Sequence, residues 1–146
     1  MRVDLRPASF APLAELATYQ AEVDTRLLGQ YGALSMFIGT MRDFNDGVAV
    51  QAMNLEHYPG MTEYQLQRIA ETAWRQWPVL DGLLLHRVGA LQPGEPIVLV
   101  AVWTVQRAAA FSACRFLIEE LKAKAPFWKR EETGQGAHWV SHNTPA

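Results

Sequence analysis

Two strongly apolar, β-type runs, Leu83 to Val88 and Ile97 to Val105, stand either side of the turn segment Leu91-Gln92-Pro93-Gly94-Glu95-Pro96, and this pairing constrains the fold more than any other feature of the chain. The two runs read as adjacent strands. The elements around them follow the same logic of apolar runs divided by proline and glycine. Residues 2–6 form a short strand, and Ser9 is placed to cap a helix carrying Leu13, Leu16, Ala17 and Tyr19. The run 33–41, ALSMFIGTM, reads as a buried strand, and Asp43, Phe44, Asn45, Asp46 and Gly47 turn it into a second strand from Val48 to Tyr58, so that a hairpin is expected there too. Thr62 and Gln65 make a capping-box pattern ahead of Leu66, Ile69, Ala70, Ala73 and Trp77 at helical spacing, and Pro78 ends that helix. Ala108 to Lys124 carries Phe111, Cys114, Ile118 and Leu121 at three- and four-residue steps, one apolar helix face that Pro126 stops. The order βα, hairpin, α, hairpin, α and short terminal strands implies one α+β domain over residues 1–146, antiparallel hairpins packed with about three helices.

Composition narrows the function. A chain of 146 residues with 49% hydrophobic and 19% charged positions suits one globular core. A formal charge of −2 provides no broad cationic surface, so no nucleic-acid partner is expected and any bound anion should be small. Cys114 is the only cysteine, which rules out an intrachain disulfide, a CxxC redox pair and a cysteine-based zinc site, and fits a reducing, cytoplasmic setting. No run approaches the ~20 apolar residues that span a bilayer, and the first residues lack an apolar signal core, so no membrane partner is expected.

The segment most charged with chemistry is Lys122-Ala123-Lys124-Ala125-Pro126-Phe127-Trp128-Lys129-Arg130-Glu131, where a helix ends in lysines and passes straight into an aromatic extended stretch. If residues 127–130 are extended, Phe127 and Lys129 share one face and Trp128 and Arg130 the other. A lysine held against aromatic walls is partly desolvated, its pKa falls, and its ammonium becomes a proton donor that serves, once neutral, as base or nucleophile. The bland alternative is a solvated helix end, with lysines favoured by the macrodipole and Glu119 close to Lys122. Arg42 follows an apolar strand and precedes a turn, where a guanidinium fork suits a phosphate; otherwise it pairs at the surface with Asp43 or Asp46. Arg107 stands at the first turn of the last helix, a place that favours anions, or is an ordinary surface charge. His57 and His86 have no second metal-ligand candidate at suitable spacing and read as packing residues, and Cys114 on an apolar face reads as an inert thiol.

The strings LEHYPGMTE at 55–63, HRVGALQPGEPIVLV at 86–100 and LKAKAPFWKRE at 121–131, together with FIGTMRD at 37–43, resemble in order and wording the large, catalytic subunit family of molybdopterin synthase. The resemblance runs from about Tyr31 to Trp139. It implies a homodimer of α/β hammerhead-like subunits within a heterotetramer, each subunit carrying a small ubiquitin-like sulfur-carrier protein. The carrier's C-terminal Gly-Gly thiocarboxylate would enter a pocket and give sulfur to cyclic pyranopterin monophosphate, forming the dithiolene of molybdopterin with no metal or organic cofactor. Matched residue by residue, Lys122 and Lys129 fall on the family's two functional lysines, Arg42 on a pocket arginine, and Phe37 and Glu131 on further site positions, with Gln106 and Arg107 as further substrate contacts. One departure stands out. Where relatives commonly have His-Arg before the last long helix, this chain has Gln106-Arg107, so a titrating imidazole is replaced by an amide. A non-catalytic adaptor for a ubiquitin-like tail is the competing reading, and a module that binds a phosphorylated metabolite alone is a third. The family also places a basic residue beyond Trp139 that reaches across the dimer, where this sequence reads Ser141, His142, Asn143, Thr144, Pro145, Ala146.

Overall fold

The computed structural model describes residues 1–45 and 47–140. Its elements in chain order are β1 (Arg2–Arg6), α1 (Pro12–Leu27), β2 (Ala33–Thr40), β3 (Phe44–Asn45), β4 (Val48–His57), α2 (Met61–Gln76), β5 (Val79–Arg87), β6 (Gly89–Leu91), β7 (Pro96–Thr104), α3 (Arg107–Lys124), β8 (Phe127–Thr133) and β9 (Gly136–Trp139). The α+β class expected from the sequence is present. The strands form two sheets, one in the order β1-β5-β7-β2 and one in the order β3-β4-β8-β9 with β6 also paired to β4.

The first sheet is covered on both faces, which explains why β5 and β7 are apolar almost throughout. Leu84, Val98, Val100 and Val102 pack against Leu66, Ile69 and Ala73 of α2 and against Ala110, Ala113, Cys114, Leu117, Ile118 and Leu121 of α3. On the opposite face Leu83, Leu85, Leu99, Ala101 and Trp103 meet Leu16, Tyr19 and Val23 of α1. The second sheet has a smaller core of Met41, Val50, Met53, Leu55 and Leu91, and Ile97 and Phe127 touch both this core and the one beneath α3. The two sheets therefore meet beside Ile97 and Phe127.

Several expectations need correction. β5 and β7 pair antiparallel as expected, but β2 and β4 do not form a hairpin: β2 pairs antiparallel with β7. After Thr40 the chain is drawn out of the first sheet, because the Met41 N–H donates to the Glu95 carbonyl (2.9 Å) and the Met41 carbonyl accepts the Gly94 N–H (2.8 Å). The tight turn closes β3 onto β4 instead. β1 lies parallel to β5, so the sheet is mixed. α1 is capped at Ala11 with Pro12 in its first turn, not at Ser9, because a proline there costs no helical hydrogen bond; Leu13 is exposed, and Val23 completes the buried stripe. α2 is capped at Gly60, where φ is +85°, and the Glu63 carboxylate accepts the Gly60 N–H, so Thr62 and Gln65 do not form the box. On α3 the buried stripe runs 110, 113, 114, 117, 118, 121, and Phe111, one position to its side, is 67% exposed.

Candidate functional site

α3 delivers Lys122 on its last turn, and the chain between α3 and β8 determines where Lys129 follows. Ala125 is extended ahead of Pro126, as the pre-proline clash requires, and its N–H still closes the helix on the Leu121 carbonyl (3.0 Å). Thr62, fully buried in the first turn of α2, donates its hydroxyl to the Pro126 carbonyl (3.1 Å) and accepts the Tyr58 N–H (2.9 Å). That one side chain ties the start of α2 to the entry of β8. β8 then pairs antiparallel with β4, His57 opposite Phe127, Leu55 opposite Lys129 and Met53 opposite Glu131. Strand alternation turns Phe127, Lys129 and Glu131 inward and leaves Trp128 and Arg130 exposed.

Lys122 and Lys129 line one cavity of about 280 Å³ at the junction of the two sheets. Its wall takes Phe37 and Gly39 from β2, His86 from β5 and Phe127 from β8. A side chain at position 39 would intrude, since a Cβ there would stand 3.0 Å from Val98 Cγ1 and 3.2 Å from Phe37 Cε1. Both lysines are half-buried. Burial pushes the Lys122 ammonium below the usual lysine range, with Glu119 opposing and Arg42 adding to the fall. Lys129 is lowered first by burial, then by the charges of Lys122 and Arg42, with Glu131 opposing. Three cations thus act on one recess, and the two ammonium groups are the members that give up a proton most readily.

The remaining sequence candidates divide. Phe37 lines the cavity. Arg42 is exposed, its guanidinium 4.9 Å from the Phe44 ring centre; no ion pair joins it to Asp43 among the described residues, and its alternative partner Asp46 lies outside them. Glu131 is buried two positions beyond Lys129, its Oε1 accepting the Asn45 Nδ2–H (2.9 Å) and its Oε2 3.8 Å from His138 Nε2. Gln106 and Arg107 line a separate depression with Gly32, Val105 and Ala108 at the opposite end of α3. The stretch 141–146, where a cross-dimer basic residue is in question, lies outside the described residues.

His57 and Cys114 do not line this cavity: His57 Nε2 is 3.8 Å from Glu63 Oε1 at the start of α2, and Cys114 is buried, which raises its thiol pKa. His86 is different. Its sequence context suggests a packing residue, but it stands in the cavity wall with both lysines. A lone histidine on a strand carries no sign of this; only the meeting of β5 with β8 reveals it. Among the described residues no group of three His, Cys, Asp or Glu could hold a metal ion, and no helix is long and apolar enough to cross a membrane.

The family model described as MoaE protein matches residues 11–124. A Ralstonia nicotianae protein named molybdopterin synthase catalytic subunit is 55% identical over 111 residues, covering 76% of this chain and 63% of that relative, so the chain spans under two thirds of its length. A Pseudomonas aeruginosa protein of the same name is 48% identical over 140 residues, 96% of this chain and 90% of the relative. Among solved structures, the molybdopterin biosynthesis MoaE protein from Burkholderia ambifaria superposes with a TM-score of 0.77 at 43% identity, covering 97% of this chain and 90% of that one.

Proposed function

Because this chain belongs to the MoaE protein family, we infer that it is the catalytic subunit of a molybdopterin synthase, a sulfurtransferase of molybdenum cofactor biosynthesis. The carbonyl-bound sulfur of a thiocarboxylated, ubiquitin-like carrier is passed to cyclic pyranopterin monophosphate, and two such transfers build the dithiolene. The observation that carries this reading is the convergence of Lys122 and Lys129 in one recess, with Arg42 close enough to depress both. A thiocarboxylate and a phosphate are both anions, and a partly desolvated cluster of cations is what such reactants need. Each sulfur addition also requires a proton for the departing oxygen and a base for the incoming group, and lysines whose pKa is lowered by burial are suited to both. Sulfur arrives on the partner, so the enzyme needs no thiol of its own, in keeping with a buried Cys114.

In this reading Lys122 and Lys129 are the catalytic residues, and Phe37, Arg42 and Glu131 shape the pocket. The subunit works in the cytoplasm as a homodimer, with one carrier on each copy. Gln106 and Arg107, too far along α3 to reach the recess of their own protomer, contribute to that of the second copy. The test is reconstitution with thiocarboxylated carrier and cyclic pyranopterin monophosphate, the product being followed by mass. The unsubstituted protein should yield molybdopterin, and Lys122→Ala should lower the rate by about 10²–10⁴-fold, the usual worth of a positioned acid or base, while binding carrier normally. Carrier binding with no transfer by the unsubstituted protein would make it an adaptor, and full activity of Lys122→Ala would remove the mechanism.

A further inference from the structure

His86 has no role in the chemistry so far, yet its surroundings are built with unusual care. Strand alternation puts it on the face of β5 that carries Leu84 and looks toward α2 and α3, an otherwise apolar surface where a polar ring is costly unless its nitrogens are used. The imidazole lies flat on Phe127, the ring centres 4.0 Å apart and the planes inclined by 10°. Its Nδ1 is 2.7 Å from the Arg87 carbonyl oxygen. A carbonyl only accepts, so Nδ1 carries the hydrogen and, in the neutral ring, Nε2 keeps its lone pair. The stack fixes the plane of the ring and this hydrogen bond fixes its tautomer. The charged groups that act on the ring are Lys122 from α3 and Lys129 from β8, both cations, and burial with their repulsion holds the imidazole pKa down at about 4. The ring that lines the cavity is neutral, and the nitrogen it has left over is an acceptor.

We propose that His86 is a positioning residue for the lysine pair, an Nδ1–H imidazole whose Nε2 accepts a hydrogen bond from one of the two ammonium groups at the cavity. The choice of acceptor matters. A carboxylate in this place would hold the lysines charged, raising their pKa and spending their acidity on a permanent ion pair. A neutral imidazole aims an ammonium group while leaving its proton available. This inference rests on the sulfur-transfer reading above and adds to it a residue that acts through the lysines.

Two measurements test it. In protein labelled with ¹⁵N at histidine, the His86 ring nitrogens should report an Nδ1–H tautomer that does not titrate between pH 5 and pH 8; an Nε2–H tautomer, or titration near the ordinary imidazole pKa, overturns the proposal whether or not any variant folds. In the reconstituted reaction, His86→Phe keeps the stack on Phe127 but offers no acceptor, whereas His86→Gln can bring an amide oxygen to the place of Nε2. We expect His86→Phe to lower kcat about tenfold, the effect of about one hydrogen bond to a charged group, with KM for the carrier unchanged. The limb of the pH profile set by the lysines should move to lower pH, because the ammonium has lost an acceptor, and His86→Gln should restore most of both. A His86→Phe protein with unaltered kcat and pH profile overturns the proposal. No product from the unsubstituted protein would instead count against sulfur transfer itself, with the tautomer measurement still deciding what the ring is built to do.

Discussion

Lys129 occupies a position that a protein selected only for stability would fill with something else. Its ammonium is half-buried and faces the like charges of Lys122 and Arg42, and Glu131 is the carboxylate that offsets them among the described residues. Removing a poorly solvated charge from such a site commonly stabilises a fold while abolishing its activity. Lys129→Met should therefore raise Tm by about 2–4 °C, equivalent to ~1 kcal/mol in a domain of this size, and lose product formation; a fall in Tm would mean that the ammonium is better compensated than its surroundings indicate. His86 gives a pH signature of the opposite kind. Its folded pKa of about 4 lies below the ordinary 6.5, so between those values the unfolded chain binds the extra proton and stability drops as pH falls. From pH 7 to pH 4 that loss approaches 3 kcal/mol at ~1.36 kcal/mol per pKa unit, and urea unfolding of His86→Gln across the same window should lack it. The two residues also differ in what the sequence discloses. The shared face of Phe127 and Lys129 follows from strand alternation alone, whereas the importance of His86 depends on a ring stacked between strands that are remote in the chain.

Among the elements, those with internal periodicity were legible and their partners were not. The β5–β7 pairing follows from two apolar runs and one turn between them. The run of β2 looks equally ready to fold back on β4, but backbone hydrogen bonds from Met41 to the turn at Gly94 and Glu95 direct the chain elsewhere, and period-two patterning contains no information about such contacts. Thr62 shows the same limit from the other side. As a helix cap it was a reasonable expectation, yet its hydroxyl bridges Tyr58 and Pro126, holding the segment that aims β8. Thr62→Val keeps the shape and removes both hydrogen bonds, leaving two partly buried backbone groups without that partner. It should cost about 1–3 kcal/mol, read as a lower urea midpoint. Because the lost contact sits at the entry of β8, product formation should fall more than the folded fraction does; equal losses would confine Thr62 to stability.

At the scale of the whole molecule the candidate residues fall in two places. Family resemblance gathers Lys122, Lys129, Gln106 and Arg107 into one functional set, but α3 carries Arg107 at its first residue and Lys122 in its last turn, about 22 Å apart along the axis at ~1.5 Å per residue. No side chain spans that distance, and one protomer presents the two in separate depressions. Motif order is silent about which copy supplies which residue. In the homodimer proposed above, a two-fold axis makes the exchange reciprocal: each recess takes its lysines from one copy and Arg107 from the other. Lys122→Ala and Arg107→Ala should each be inactive as homodimers. Unfolded and refolded together in equal amounts, they form mixed dimers in which one recess carries both substitutions and the other carries neither, so about a quarter of the unsubstituted activity should return under random pairing. If Arg107 served the recess of its own protomer, every recess in the mixture would hold one substitution and nothing would return. Recovery of activity therefore depends on which copy Arg107 serves, and the outcome is read from product mass alone.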